Sequence, residues 1–225
     1  MDQITVPVLK EVIESGNQLV SRVSHHPAIV RHDLKIKGLS SEDIMDTSNN
    51  EDQLDLIELA NKLVSDIDDS VKNIDKSVRT VYSQRFPELK VADPMQYIIT
   101  VQLLGNRPDR IADEKIKDQL AEVLDPKMLL LVTMTASTTQ GIKVEPDEMD
   151  KIMRACAVAI HLANLKTKLL SFVEENMTVI APNLSVILGA PTAAKLMGIA
   201  GGLKNLALMP SCNLAALGSR RVVNI

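Results

Sequence analysis

A single lysine stands in a long uncharged stretch near the C-terminal end of the sequence. Lys195 is the only charged residue between Ile180 and Leu203, and small residues surround it at Gly189, Ala190, Ala193, Ala194, Gly198, Ala200, Gly201 and Gly202. Small side chains three or four residues apart let another molecule approach a helix backbone closely. An isolated ammonium group can contact a phosphate without competition from carboxylates. The stretch therefore predicts either a surface for RNA phosphates or, more simply, a pair of tightly packed buried helices.

The charge distribution around this stretch is asymmetric. No Asp or Glu occurs from Asn176 to Ile225, although the whole chain has a net charge of −4. Lys166 and Lys168 precede the stretch and Lys204 follows it, so all three are candidates for phosphate contacts. Lysines without nearby acids supply the sequence-independent part of RNA affinity. We therefore expect an RNA or ribonucleoprotein (RNP) partner.

Residues for catalysis or metal binding are scattered along the chain. His25 and His26 are adjacent, but adjacent histidines in a loop usually face solvent, and His32 and His161 are scattered. Cys156 and Cys212 do not have the spacing of a zinc site. Ala200-Gly-Gly202 is not followed by the lysine and serine of a phosphate-binding loop. The sequence predicts no catalytic residue, no metal site and no cofactor.

Composition excludes several other classes. Two Phe, two Tyr and no Trp are too few for the base-stacking surfaces of common RNA-binding modules. Two cysteines do not make a disulfide framework, which favours a reducing compartment. The most apolar run contains Pro182 and Pro191 and many small residues, so we expect no membrane contact. The N-terminus lacks the basic and apolar layout of a signal peptide.

The clearest helical pattern lies in residues 51–85. Apolar residues follow one another by steps of four and three, at Leu56, Ala60, Leu63, Ile67, Val71, Ile74, Val78 and Val81. This is a heptad seam with one extra residue, and it predicts a long helix of a coiled coil. The seam packs one helix on another, and it could in addition hold a domain away from the body as a lever. Polar residues, among them Asp66, Asp68, Asp69, Lys72, Asp75 and Lys76, are expected off the seam.

The rest of the chain also predicts helices. We expect them at residues 3–24, 93–104, 111–124 and 129–134, and in a long helix from Glu145 to about Glu175. Residues 25–50 are loop-like, residues 136–141 form a polar break, and residues 184–217 hold short helices broken by Pro191, Gly201 and Pro210. No segment alternates for long with period two, so the predicted class is all-α.

Five sequence motifs resemble those of the Nop-domain proteins. They are Arg85-Phe-Pro-Glu-Leu89, Ala181-Pro-Asn-Leu184, Gly189-Ala-Pro-Thr-Ala-Ala-Lys195, Ala200-Gly-Gly-Leu203 and Met209-Pro-Ser-Cys-Asn213 with Leu217-Gly218. Thr135-Ala-Ser-Thr-Thr-Gln-Gly141 and the Pro-Ser-Cys-Asn sequence are similar to the branch of this family found in the spliceosome. The resemblance covers about residues 51–221.

The resemblance implies a fold and a domain organisation. Family members have a coiled coil that carries a helical globular Nop domain. In this chain, residues 1–50 would be an N-terminal helix and loop, residues 51–110 part of the coiled coil, and residues 111–225 the Nop domain. Longer members of the family continue beyond the position of Ile225 with the rest of the domain and a basic tail.

The resemblance also implies partners and a location. Family members bind an RNA kink-turn only after a small kink-turn-binding protein has bound it. For the spliceosomal branch the RNA is the 5′ stem-loop of U4 snRNA, the other partners are proteins of the U4/U6·U5 tri-snRNP, and the location is the nucleus. The residues that the resemblance assigns to RNA binding are Val144, Thr167, Val186, Ala190, Lys195 and Arg221. Thr167 stands where this branch often has a histidine, so an imidazole contact cannot form there.

Two other functions stay open at the level of the sequence. One is a core protein of a box C/D snoRNP, which would guide methylation through a bound methyltransferase. The other is a helical scaffold for protein interactions without RNA contact. The RNA recovered by crosslinking in cells distinguishes the three functions, and the C-terminal segment without acidic residues argues against the last.

Overall fold

The computed structural model describes residues 5–27, 29, 50–200 and 202–217, and all regular structure in these ranges is helical. The predicted all-α class is therefore confirmed. The α-helices are α1 (Thr5–Ser24), α2 (Asn50–Tyr82), α3 (Pro94–Leu104), α4 (Glu114–Val123), α5 (Pro126–Thr138), α6 (Pro146–Ile180), α7 (Pro182–Leu188), α8 (Ala190–Ala200), α9 (Leu203–Leu208) and α10 (Ser211–Ala216), with a 3-10 helix at Pro108–Ala112.

Contacts between residues divide the chain into two compact units. Unit 1 contains the described residues of Met1–Arg22 and Ile67–Asn164, and unit 2 those of Val23–Asp66 and Leu165–Ile225. The two long helices, α2 and α6, each contribute residues to both units. These divisions lie at other positions than the domain boundaries expected after residues 50 and 110, which stay predictions.

The apolar seam of α2 is buried as its spacing predicts. Seven of the eight seam residues are buried and Leu56 is half-buried. Asp75 lies off the seam as expected, but it does not face solvent, because it is only 7% exposed. Its carboxylate accepts hydrogen bonds from Arg79, whose guanidinium lies 4.0 Å from the ring centre of Tyr97 on α3. The helix thus has a second packed face that its heptad pattern does not reveal.

A close approach of α1 to α6 shapes unit 1. A methyl group in place of the Gly16 hydrogen would lie 2.8 Å from Cγ1 of Val158 and 3.7 Å from Cδ1 of Ile74. The distance of 2.8 Å is shorter than the contacts that real Cβ atoms make. Glycine is therefore the residue that lets α1 lie against α6 at this point.

Several helix ends follow the sequence signals, and others do not. The Asp93 carboxylate accepts a hydrogen bond from the Gln96 amide at 3.0 Å, so the predicted cap of α3 is confirmed. The expected break at residues 136–141 is wrong in its first half, because α5 continues to Thr138. Pro191 does not break a helix either, since it lies in the first turn of α8, where proline is tolerated. The sequence did not predict the 3-10 helix.

The longest helix, α6, combines length with apolar character. By these two properties alone it could cross a membrane, and the bent pair of α7 and α8 meets the same criterion as one broken span. The core helix of a folded domain has these properties too. Ile152, Cys156, Ala159 and Leu162 are fully buried within the protein, as in such a core helix.

Candidate RNA-binding surface

Unit 2 ends in a series of short helices that the sequence divides at defined residues. Ala181 precedes Pro182 and leaves the helical conformation, as a residue before proline tends to do, which ends α6. The hydroxyl of Ser185 in α7 then donates a hydrogen bond to the carbonyl of Met177, at 3.1 Å. This bond holds the start of α7 against the last turns of α6.

A glycine sets the angle between α7 and α8. Gly189 has φ of 79°, a conformation that side chains disfavour, and its amide donates a 2.9 Å hydrogen bond to the Ser185 carbonyl. The two helices meet there at an angle of 114°. The break between the two helices thus falls at Gly189, whereas the sequence predicts it two residues later, at Pro191.

The small residues of α8 face the interior of unit 2. Ala190, Ala193, Ala194 and Met197 are all buried, and Ala193 has no exposed surface at all. Small side chains on this face allow tight packing with the rest of the unit, which is the simpler of the two functions expected for them. Ala190 stays a predicted RNA-binding residue, but only 6% of its surface is accessible.

The opposite face of α8 carries the lysine that the sequence singled out. Lys195 is exposed, and it makes no hydrogen bond or ion pair within the described part of the chain. Ile199, one turn further on, is 61% exposed, and Lys204 is exposed on α9. Because α8 contacts both α7 and α9, the predicted residues Val186, Ala190, Lys195 and Lys204 lie on consecutive, touching helices.

An acidic residue from a distant part of the sequence lies next to this face. A methyl group at Gly198 would lie 3.9 Å from Cγ of Glu58 on α2, which is an ordinary van der Waals contact. Glu58 is exposed and belongs to unit 2. The C-terminal sequence has no acid, but the fold supplies one that no sequence pattern indicated.

Three exposed aliphatic side chains lie close together in sequence, at the end of α6 and in α7. Val179, Val186 and Ile187 are 77%, 86% and 77% exposed, respectively. We call these three residues the α6–α7 corner. Aliphatic groups cannot pair with phosphate, and leaving them in water is unfavourable, so the corner suits contact with a protein.

The remaining candidates of unit 2 differ in accessibility. Thr167 is exposed, whereas Lys166 and Lys168 are half-buried, and all three already take part in interactions within the protein. Arg221 lies outside the described residues. Their roles in RNA binding stay predictions.

Val144 is the one described candidate that belongs to unit 1, and it is pinned inside a loop. Its side chain is buried, its carbonyl accepts a 2.8 Å hydrogen bond from Asn106, and its amide donates one of 3.3 Å to the same side chain. The neighbouring Ile142 is 78% exposed and Lys143 is also exposed. Ile142 and Lys143 are therefore among the accessible side chains of this loop, together with Gln140 and Glu145.

The motif Arg85-Phe-Pro-Glu-Leu89, which follows α2, connects two loops of unit 1 through its side chains. The buried guanidinium of Arg85 donates hydrogen bonds of 3.0 Å to the carbonyls of Asn106 and Gly141. Glu88 of the same motif accepts a 2.9 Å bond from the Thr139 hydroxyl. The motif thus ties together the turn after α3 and the loop before α6, which is a structural function.

Metal-binding side chains do not cluster in the described part of the chain, and its buried cysteine is unreactive. No three His, Cys, Asp or Glu side chains there are arranged to hold a metal ion. Burial, with a smaller contribution from the Asp75 charge, raises the pKa of the Cys156 thiol to about 12, so this thiol is not a nucleophile at neutral pH.

Comparison with known sequences identifies the class of protein. A family model of the Nop type, described as "snoRNA binding domain, fibrillarin", matches residues 63–224. The chain therefore belongs to the Nop family, as the sequence motifs predict.

Individual relatives indicate which branch of the Nop family this chain resembles. The U4/U6 small nuclear ribonucleoprotein Prp31 of Danio rerio is 39% identical over 206 residues, which cover 91% of this chain and 38% of that protein. The Homo sapiens protein of the same name is 43% identical over 164 residues, 72% of this chain and 32% of that protein. Nucleolar protein 58 of Homo sapiens is 28% identical over 170 residues, 75% of this chain and 31% of that protein. The predicted similarity to the spliceosomal branch is confirmed, and the chain spans about a third of the length of these relatives.

Proposed function

We propose that this chain is an RNP scaffold of pre-mRNA splicing that binds U4 snRNA in the nucleus. The relatives named as U4/U6 proteins support this proposal, since they are clearly more similar than nucleolar protein 58. The structural observation that carries the RNA contact is the exposed Lys195 on the outer face of α8. The chain acts by binding rather than by catalysis, and it supports assembly of the tri-snRNP.

In this proposal, two parts of unit 2 contact two different partners, the RNA and the small protein. Lys195 and Lys204 are exposed cations in a segment without acidic residues, so they contact RNA phosphates. The α6–α7 corner offers aliphatic groups, so it contacts the small kink-turn-binding protein. Because the two surfaces bind different partners, tight binding requires the RNA and the small protein together.

A gel-shift titration tests this dependence on two partners. The U4 5′ stem-loop is mixed with the chain in the presence and absence of the small kink-turn-binding protein. We expect weak binding to the naked RNA and much tighter binding to the binary complex. Equal affinity in the two titrations contradicts the composite surface.

The charge contribution is tested with Lys195→Glu, and Lys117→Glu is the matched control. Lys117 is exposed on α4 of unit 1, so the two variants change the net charge equally. We expect Lys195→Glu to weaken the ternary complex and to lower the salt slope by about one unit. If the two variants behave alike, Lys195 is an ordinary surface residue.

A box C/D snoRNP function is the second candidate, because the matching family model is described by its snoRNA-binding domain. Crosslinking in cells followed by sequencing of the bound RNA distinguishes the two. Recovery of U4 snRNA supports the splicing function, and recovery of box C/D RNA supports the snoRNP function. Background RNA alone would leave a protein scaffold without RNA contact.

A further inference from the structure

Glu58 is the acidic residue that the fold brings to the basic face of α8. Its Cγ lies next to Gly198, three residues after Lys195 on the same helix. Residues three apart on a helix have Cβ atoms about 5–6 Å from each other. The base of the Lys195 side chain is therefore no more than about 10 Å from the Glu58 side chain.

Within the described residues this carboxylate has no directly bonded partner, and Lys62 lies one turn further along α2. Glu58 is exposed and forms no ion pair or hydrogen bond within these residues, and the same holds for Lys195. The Glu58 side chain therefore lies near the base of the Lys195 side chain without a direct contact between the two charged groups. The Debye length is about 8 Å at physiological ionic strength, so an unpaired charge at this range still acts on a ligand of Lys195.

We infer that Glu58 limits the affinity of α8 for phosphate and so limits binding to RNA that lacks the second partner. This inference rests on the proposed function, because it concerns the same Lys195 surface. A carboxylate beside the lysine repels an incoming phosphate and lowers the local positive potential. Naked RNA then binds weakly, and the contact at the α6–α7 corner has to supply the missing affinity.

The geometry of α2 supports a role other than packing for Glu58. Its neighbours Ile57 and Ala60 are buried in the core, whereas Glu58 itself points to solvent. Glutamine has the same size and can keep the contact with Gly198. Glu58→Gln therefore removes the charge and leaves the packing of the two helices in place.

The inference is tested by fluorescence anisotropy with the naked U4 stem-loop and with an unrelated RNA hairpin, at fixed salt. We expect Glu58→Gln to raise the affinity for both RNAs about twofold, the size of effect for one exposed charge removed at this distance. The matched control is Glu122→Gln, which removes an exposed carboxylate from α4 of unit 1. We expect no comparable increase for this control.

A double-mutant cycle shows whether Glu58 acts through Lys195. In a Lys195→Gln background the gain from Glu58→Gln should shrink markedly, because the group that it opposes is gone. Equal gains in both backgrounds, or equal gains for Glu58→Gln and Glu122→Gln, overturn the inference. If Lys195→Gln weakens binding while Glu58→Gln has no effect, the inference fails and the proposed function stands. Absence of RNA binding in every protein, including the wild type, overturns both.

Discussion

Arg79 holds Asp75 with its Nε, which lies 2.9 Å from Oδ1 and 2.8 Å from Oδ2 of that carboxylate. The side chains are 31% and 10% exposed, respectively, and the guanidinium also stacks over the Tyr97 ring. This cluster joins α2 to α3 in unit 1. A charged group that loses its partner in a partly buried place keeps its desolvation penalty.

The cluster predicts that Asp75→Ala is destabilising, although Asp75 lies off the heptad seam. We expect the free energy of unfolding to fall by about 1–3 kcal/mol, as for loss of a charged, part-buried hydrogen-bond partner. Asp69→Ala is the control, because Asp69 and its partner Lys72 are 61% and 62% exposed. Its cost should not exceed about 0.5 kcal/mol. Chemical denaturation measures both values, and equal costs would show that the cluster adds nothing.

The seam itself is tested at Ile74, which has no exposed surface. Truncation of a buried isoleucine to alanine costs about 2–5 kcal/mol, because it removes apolar contacts and leaves a cavity. Ile74→Ala should therefore lower the melting temperature clearly, whereas Asn73→Ala on the exposed side of α2 should not. RNA assembly measured well below the melting temperature should survive if this helix is only a support. Loss of assembly in a folded Ile74→Ala protein would mean that α2 positions the binding surface.

Two glycines should respond in opposite ways to alanine. A methyl group at Gly141 would clash with the backbone carbonyl of Arg85, so Gly141→Ala has to displace the loop before α6. The hydrogen bond of 2.9 Å between the Ile142 amide and the Gln84 carbonyl would suffer as well. We expect a loss of more than about 2 kcal/mol in unfolding free energy, as for other backbone strain.

Gly198→Ala is the matched comparison. It meets only the 3.9 Å contact with Glu58 and lies inside α8. Alanine is preferred to glycine in a helix by up to about 1 kcal/mol. Thermal unfolding of the two variants should therefore shift in opposite directions, and a stable Gly141→Ala protein would contradict the close approach to Arg85.

The two cysteines should differ sharply in reactivity. Cys156 is fully buried and burial raises its pKa to about 12, whereas Cys212 is exposed on α10. At pH 8 only about one in ten thousand Cys156 thiols would be ionised, and the thiolate is the reactive form. Iodoacetamide should therefore add one group to the native protein, at Cys212, and two groups after denaturation. Mass spectrometry of the peptides identifies the site, and rapid labelling of native Cys156 would contradict its burial.

The local signals in the sequence determined the class and many of the elements. The steps of four and three in residues 56–81 predicted the buried face of α2, since helix geometry places these residues on one side. Asp93 followed by Pro94 predicted the start of α3, because capping depends on residues within one turn. The family motifs predicted the Nop assignment, which the match over residues 63–224 confirms.

Only the tertiary structure decided how distant residues meet. Periodicity along one helix reports its strongest apolar face, so it could not show that Asp75 is buried or that Arg79 stacks on Tyr97 of α3. The inward direction of Ala190 and Ala193 also depends on packing, because small residues suit a buried face and a contact surface equally. Glu58 and Gly198 are 140 positions apart, and no local rule couples them. The absence of acids near Lys195 was a property of the sequence, whereas the charge beside it is a property of the fold.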